Sequence, residues 1–423
     1  MLISLIIFGL MYVGMLAFPK KRVWFALAGA LFMVVLGVLP VGKLFGSINW
    51  NVLLMIAGTM GIVTLFIESG MPARMADIML RKVPNACWAI IALCVFSGVI
   101  SAFMDNVATV LMTAPVGLAI CKKMKINPVP VIIGIAVSSN LQGAATLVGD
   151  TTSILLGGYA NMSFIDFIVF RGKLSIFWAV ELGAAGTILI LWLFFRKEKQ
   201  AVVSDQLTEV KDYVPSIVLL LVVVCLIVAS FFTIPVVDDL KNGLICMALC
   251  IFGVVRGCLK ERSDRPARAV LKDMDYQTLG MLCGLFIVIA GITEAGVIDA
   301  VANWFAGIGN GNVFLLYTII VFASVILSAF VDNIPYVAAM LPVVQGIAMK
   351  LGIDPVVLYF GLLSGATLGG NITPFGASAN VTAIGILRKE GYEVKNSDFF
   401  KIGVPFTLTA VVIAYVFIWL VWA

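Results

Sequence analysis

The chain reads as an all-α polytopic membrane protein made of two inverted repeats. Three observations point there. It has 423 residues, 62% hydrophobic and only 12% charged, with a mean hydropathy of +1.11; an ordinary soluble domain is about 45–50% apolar and about 25% charged. Its apolar runs recur near the ~20 residues that span a bilayer. Finally, the hexamer Ser101-Ala102-Phe103-Met104-Asp105-Asn106 returns with one change as Ser328-Ala329-Phe330-Val331-Asp332-Asn333, at an offset of 227.

Taken in order, spans are expected at about 2–18 and 23–40. Lys20-Lys21-Arg22 follow the first run rather than precede it. It is therefore expected to be a retained span with its N-terminus outside, not a signal peptide. A third span, about 51–67, ends at Glu68-Ser69-Gly70. Residues 71–83 mix Arg74, Asp77, Arg81 and Lys82 with apolar residues, the pattern of a helix lying in the interface. Two apolar arms, about 87–104 and 107–121, flank Asp105-Asn106 and close at Lys122, Lys123 and Lys125, which reads as a re-entrant hairpin. Residues 128–160 are one apolar segment broken by glycine and polar residues over 141–153. Non-helical backbone at membrane depth is tolerated only where it lines a protein-enclosed cavity. A span at about 174–195 ends a first repeat over 1–195, and the charged stretch 196–213 is a cytoplasmic linker.

The second repeat, 214–423, follows the same plan. Spans are expected at about 214–233 and 240–255, then a basic loop from Arg256 to Lys272, then a span at about 277–293. An interfacial stretch 297–308 precedes hairpin arms at about 312–331 and 334–349. A second broken segment, 354–387, is interrupted over 369–380, and a last span covers 402–422. Glu294-Ala295-Gly296 answers Glu68-Ser69-Gly70 at an offset of 226, and Pro115, Gly143, Thr146 and Gly149 map onto Pro342, Gly370, Thr373 and Gly376 at 227. Collinear matches at a near-constant offset argue against chance similarity of apolar sequence.

Each half then makes five crossings and one returning hairpin, for about ten spans in all. An odd number of crossings inverts the second half, as in many secondary transporters. With the N-terminus outside, one face carries Lys43, Arg171, Lys173, Lys241 and Lys350, and the other carries the remaining 23 of the 28 basic residues. By the positive-inside rule the rich face is cytoplasmic and both termini are outside.

Composition also excludes classes. The basic residues flank membrane segments, so the net charge of +5 is no nucleic-acid signal. There is no histidine for a proton relay or metal, and the eight cysteines form no CxxC pair, so they read as structural thiols. The glycine-rich breaks lack the GKS/GKT of a phosphate loop. A membrane enzyme finds no nucleophile, base or metal cluster.

Four elements should converge near the bilayer midplane, two hairpin tips and two helix breaks. A charge there costs roughly 2.5–3.5 kcal/mol on insertion scales and is usually functional. Asp105, Asp150 and Asp332 supply negative charge, and the motifs hold no Lys or Arg. Asn106, Thr146, Thr151, Asn333, Asn371, Thr373, Ser378 and Asn380 offer neutral ligands. A cation, a proton or a neutral hydroxylated solute suits such a site, while a strong anion needs sodium or protons to neutralise it. Sodium is placed near Asp105, Asn106, Asp332 and Asn333. Each Asp also has a structural reading, because Asp and Asn are favoured helix N-caps.

The stretches Asp105-Asn-Val-Ala-Thr-Val-Leu-Met-Thr-Ala-Pro115, Gly143-Ala-Ala-Thr-Leu-Val-Gly-Asp150 and Gly369-Gly-Asn-Ile-Thr-Pro-Phe-Gly-Ala-Ser-Ala-Asn380 resemble the ion transporter superfamily. The resemblance covers nearly the whole chain and looks nearest to the arsenite-permease and melanocyte P-protein branch. NhaD-type sodium/proton antiporters and citrate and dicarboxylate symporters are more distant relatives. It implies a scaffold and a moving transport domain, an elevator-like motion and a homodimer, with ligands held at hairpin tips and helix breaks. Dicarboxylate symporters carry Ser-Asn-Thr at those tips; this chain has Asp105-Asn106-Val107 and Asp332-Asn333-Ile334. Relatives often have Asp-Pro-Pro-Asn where this chain has Asp150-Thr-Thr-Ser153.

The expected function is secondary active transport of a small inorganic or organic ion, coupled to protons or sodium through Asp105 and Asp332. The lipid bilayer and a small ion are the only partners besides a second copy, and in a bacterium the site would be the inner membrane. Arsenite-type transport and sodium/proton antiport fit most closely. Sodium-coupled symport of citrate, dicarboxylate or sulfate follows, and a channel comes after these.

Overall fold

The computed structural model describes residues 1–18, 21–81, 83–200, 207–232, 238–309 and 311–423. Expectations touching Lys20, Lys82 and the middle of the linker at 201–206 lie outside them. The described residues form an all-helical, multi-pass membrane protein with one minor two-stranded hairpin.

The first half runs α1 (Leu2–Ala17), α2 (Arg22–Val35), a short α3 (Leu44–Ser47), α4 (Trp50–Glu68), α5 (Met71–Leu80), α6 (Ala86–Ser101), α7 (Asn106–Met124), α8 (Pro128–Gln142), α9 (Thr151–Ala160) and α10 (Ile176–Phe195). The strands β1 (Val169–Phe170) and β2 (Lys173–Leu174) pair between α9 and α10. The second half runs α11 (Val214–Ala229), α12 (Lys241–Glu261), α13 (Arg265–Asp273), α14 (Tyr276–Glu294), α15 (Val297–Gly309), α16 (Val313–Ser328), α17 (Asn333–Leu351), α18 (Val356–Gly369), α19 (Ser378–Lys389) and α20 (Asn396–Trp422). Among the described residues, α4, α7, α10, α12, α14, α17 and α20 are long and apolar enough to cross a membrane.

Local chemistry sets the helix ends. Asp105 caps α7 by accepting the Val107 and Ala108 amides, both at 3.0 Å, and Asp332 caps α17 by accepting Ile334 N–H at 3.2 Å. The expected span 23–40 stops at Val35, where Gly37 at φ +70° and Pro40 cannot continue a helix. The expected basic loop 256–272 is instead helical. There α12 continues to Glu261, and α13 starts with Pro266 in its first turn and buries Val270. Its charges occupy one face of an amphipathic helix, which a charge count alone reads as loop.

The halves interlock. α4 packs on α12, and α14 packs on α2, so each half lends a helix to the other. Backbones touch at both crossings: a Cβ on Gly58 would meet Cys246 C at 2.5 Å, and one on Gly284 would meet Ala26 C at 2.6 Å. Small residues that let backbones approach are how helices associate where lipid supplies no hydrophobic drive. α6 packs on α8 as α16 packs on α18, and α10 crosses α20.

The face bearing the end of α4 and the start of α14 holds a charged cluster. Asp212, at the end of the linker, lies 3.0 Å from Lys260 and also pairs with Arg256. Burial works against its ionisation, but the Val214 amide, Arg256 and Lys260 outweigh it and hold the carboxyl below its usual range.

Candidate functional site

Both breaks are tied to the hairpin tips by the same bond. Thr146 Oγ1 donates to Ala102 O, and Thr373 Oγ1 donates to Ala329 O. Thr373 Oγ1 also accepts the Gly376 amide at 3.0 Å and the Phe375 amide at 3.2 Å. Gly149 and Gly376 lie against tip carbonyls; a Cβ on Gly149 would stand 3.0 Å from Ala102 O, and one on Gly376 2.7 Å from Ser328 O. The matched Thr and Gly positions of the two breaks are thus docking positions.

Across the middle, three asparagines join the halves. Asn140 Nδ2 donates to Asn371 Oδ1 and Asn380 Oδ1, both at 2.8 Å. Asn371 Nδ2 donates to Val137 O at 3.0 Å, and Asn380 Nδ2 donates to Gly370 O and Thr373 O at 3.0 and 3.1 Å. The Thr152 and Thr367 hydroxyls meet at 3.2 Å.

A cavity of about 390 Å³ opens beside this network. Asp105, Asn106, Asn140, Asp150, Thr151, Asn333 and Ser378 line it, with Met60, Val63, Thr64 and Ile67 of α4 on the far wall. Asp273, Asp275 and Thr278 stand at its mouth, on the same face as the end of α4. Its lining holds four carboxylates and no Lys or Arg. A volume of this order suits a small ligand.

Asp150 is buried and caps α9. Thr151 N–H donates to Oδ1 at 2.8 Å, while Thr152 Oγ1 at 2.9 Å and Asn333 Nδ2 at 3.2 Å donate to Oδ2. A tip residue of the second half therefore reaches the break of the first. Asn106 Oδ1 accepts Ser101 Oγ at 2.6 Å within its own hairpin.

The sequence-derived residues therefore divide. Asp105, Asn106, Asp150, Thr151, Asn333 and Ser378 meet in one cavity. Thr146, Thr373, Asn371 and Asn380 are buried in the bonds that build its floor. Asp332 is not in the lining: its Oδ2 accepts Ser378 Oγ at 3.1 Å and lies 2.6 Å from Arg22 Nη1. The motifs themselves hold no basic residue, but Arg22 reaches that tip from outside them. Tyr12 of α1 also donates to Pro335 O on the same hairpin. Asn140 and the mouth carboxylates Asp273 and Asp275 were missed. Asn140 reads as one polar residue in an apolar helix just ahead of the break, and the two aspartates as ordinary loop charges.

The family model described as "Citrate transporter" (CitMHS) matches residues 4–365 and 263–423. An uncharacterized transporter, MT2759 of Mycobacterium tuberculosis, is 32% identical over 414 residues, covering 95% of this chain and 94% of that protein. The P protein of Homo sapiens is 24% identical over 433 residues, 85% of this chain and 52% of that longer protein. Among solved structures, the YdaH transporter of Alcanivorax borkumensis aligns with a TM-score of 0.63 at 15% identity, covering 89% of this chain and 86% of that one. MtrF of Neisseria gonorrhoeae aligns at 0.56 and 14% identity, over 97% and 84%. These two likenesses concern the fold.

Proposed function

Because this chain belongs to the CitMHS citrate-transporter family, we propose that it is a secondary active transporter, carrying a small ion coupled to protons or sodium. It is a membrane transporter and not an enzyme. The observation that carries the reading is the cavity: hairpin tips and helix breaks from both halves enclose it, and its lining is acidic without a basic side chain. Such a lining attracts cations and protons and takes a neutral solute without penalty. Asp105 and Asp332 carry the coupling charge, with Asp150 beside them. Asn106, Asn333, Thr151 and Ser378 contact the ligand, and Thr146, Asn371, Thr373 and Asn380 hold the floor it rests on.

Two inverted repeats over 1–195 and 214–423, ten spans and two re-entrant hairpins are the membrane arrangement. In support, helix pairs recur across the halves at offsets of 226–227, and α4–α12 mirrors α14–α2. The excess of basic residues on one face supports both termini lying outside. A homodimer follows from the superfamily resemblance.

The family description favours a second reading, symport of a citrate-like anion. The four carboxylates oppose a bare anion, so in that reading sodium or protons enter with it and neutralise the cavity. Proteoliposomes holding an interior pH dye separate the two, with sodium, lithium, arsenite, citrate and sulfate gradients imposed in turn. Proton flux driven by sodium or arsenite supports the first reading. Citrate or sulfate uptake driven by sodium supports the second. Flux that never runs uphill on any gradient means a channel and overturns both.

A further inference from the structure

Arg22 is the first residue of α2, yet its partner is the hairpin tip of the other half. Its Nη1 lies 2.6 Å from Asp332 Oδ2, with the two side chains 28% and 12% exposed. Asp332 Oδ1 is spent on the α17 cap, so Oδ2 meets both the guanidinium and the Ser378 hydroxyl. The pair thereby ties α2, which packs on α14, to a hairpin that packs on α18.

Lys241 holds the matching place in the second half, as the first residue of α12. The two helices are used alike. α2 meets Gly284 at Ala26, four residues past Arg22, and α12 meets Gly58 at Cys246, five residues past Lys241. They start on opposite faces. Val23 touches Gly280 near the start of α14, on the face where α4 ends and the cavity opens, while Gly243 touches Asn51 at the start of α4. Lys241 there lines a polar recess with Asn49 and Gly158, the contact that closes that side, and its Nζ donates to Phe232 O at 3.0 Å. The tip it would meet is built like its mate. Asp105 has φ −53° and ψ 138° against −54° and 135° for Asp332, and it too caps its helix through Oδ1. At the offset of 227, Thr151 stands for Ser378 and supplies a hydroxyl in the same position.

We propose that Arg22 and Lys241 are a matched pair of positioning residues, each holding the tip carboxylate of the opposite half in one arrangement of the transporter. Arg22 holds Asp332 while the cavity opens on the face where α4 ends, and Lys241 takes Asp105 when it opens on the other. The inference rests on the transport reading, which needs the site to reach both faces in turn. It also gives the two tips alternating duties. The carboxylate paired with its cation is neutralised and out of the cavity, as Asp332 is here, and the other one faces the cargo, as Asp105 does.

The test reads which face the cavity opens to. Met60, on the cavity wall, is replaced by cysteine in a cysteine-free chain held in oriented proteoliposomes. A membrane-impermeant maleimide is then applied to one face at a time. An ion pair this exposed shifts a population by about two- to fivefold. Arg22→Gln should lower the ratio of labelling at the face where α4 ends to labelling at the other by that factor, and Lys241→Gln should raise it. The double variant should return to the wild-type ratio, and Arg22→Lys, which keeps the charge, should not leave it. A merely structural role would move the melting temperature and not the ratio. An unchanged ratio in Arg22→Gln, or shifts of the same sign in both single variants, overturns the proposal. Should Arg22→Gln not fold, Lys241→Gln decides alone: slower labelling from the face where α12 starts supports the pair, and wild-type labelling overturns it. Gradient-driven flux by a chain whose ratio ignores both substitutions removes the pair and leaves the transport reading standing. The expected shifts in a chain that moves nothing on any gradient remove the transport reading instead.

Discussion

The two hairpin tips differ at one residue in six, Met104 against Val331, yet they sit in unlike surroundings. The Asp105 carboxylate caps its own helix and faces the cavity. The Asp332 carboxylate caps its helix, accepts the Ser378 hydroxyl and pairs with Arg22. The amide of Asn106 stays within its hairpin, while that of Asn333 crosses to Asp150. Near-identical sequence meets different neighbours because the flanking helices do not contact the two tips alike. α4 packs on α9, and α14 packs on α17; the mates of those pairs, α14 with α19 and α4 with α7, make at most marginal contact. On the closed side Asn49 Nδ2 donates to Gly158 O at 3.4 Å. The corresponding residues on the open side are Asp275 and Gly385, and a Cβ on Gly385 would meet nothing within 4 Å. The asymmetry teaches that this structure holds one of two mirrored sets of contacts, and the cavity opens where the contact is missing.

The sharpest way to break the comparison is charge removal. Asp105→Asn is expected to cut gradient-driven flux about a hundredfold or more in proteoliposomes, with little change in melting temperature. Asp332→Asn should also lose coupling. In addition it removes the Arg22–Asp332 pair, for a stability loss of about 1 kcal/mol or less because that pair is partly solvated. Equal melting temperatures and full flux in both variants would reduce the two aspartates to helix caps.

Trapping the mirrored arrangement comes next. In a cysteine-free Val52→Ala background that makes room for a Cβ at 158, Asn49→Cys with Gly158→Cys should cross-link at rest, and Thr278→Cys with Gly385→Cys only during turnover. Normal flux without any Thr278–Gly385 cross-link would mean that the closed side never opens.

A subtler probe is bulk at the contact. Gly158→Val pushes a side chain into Val52 and should disfavour the present arrangement by about 1–3 kcal/mol. Gly385→Ala should be nearly neutral at rest. Accessibility of a cysteine at Thr151 to a membrane-impermeant thiol reagent, added to one side at a time, reads the shift. An identical pattern in both variants would deny the asymmetry any role.

The smallest expected difference lies between Thr146→Val and Thr373→Val. Each deletes one bond to a tip carbonyl, a loss of about 1 kcal/mol. Thr373→Val also frees two amide N–H groups and should unfold at the lower temperature.

What the sequence made legible follows from repetition. The tips, the breaks and the matched Thr and Gly positions recur at an offset of 227, and the helices from α4 to α9 return as α14 to α19 at 226–228. Arg22 and Asn140 were illegible for the opposite reason. Their mates are not Arg or Asn, and their roles depend on helices that meet only in three dimensions. α13 was hidden by its charges, and the strands at 169–174 are too short to carry a pattern.

The exchange of helices between halves also bears on how the chain is made. α4 leaves the ribosome long before α12, whose first residue lies 173 positions beyond the end of α4. At about 5–20 residues per second the delay is roughly ten to forty seconds. Throughout it, the groove at Gly58 has no backbone to meet and α2 has no α14. The nascent first half must therefore be held in lipid or by an insertion partner until its mate arrives. Neither half should be obtainable alone as a stable folded piece, although the two, synthesised as separate chains, could still find each other.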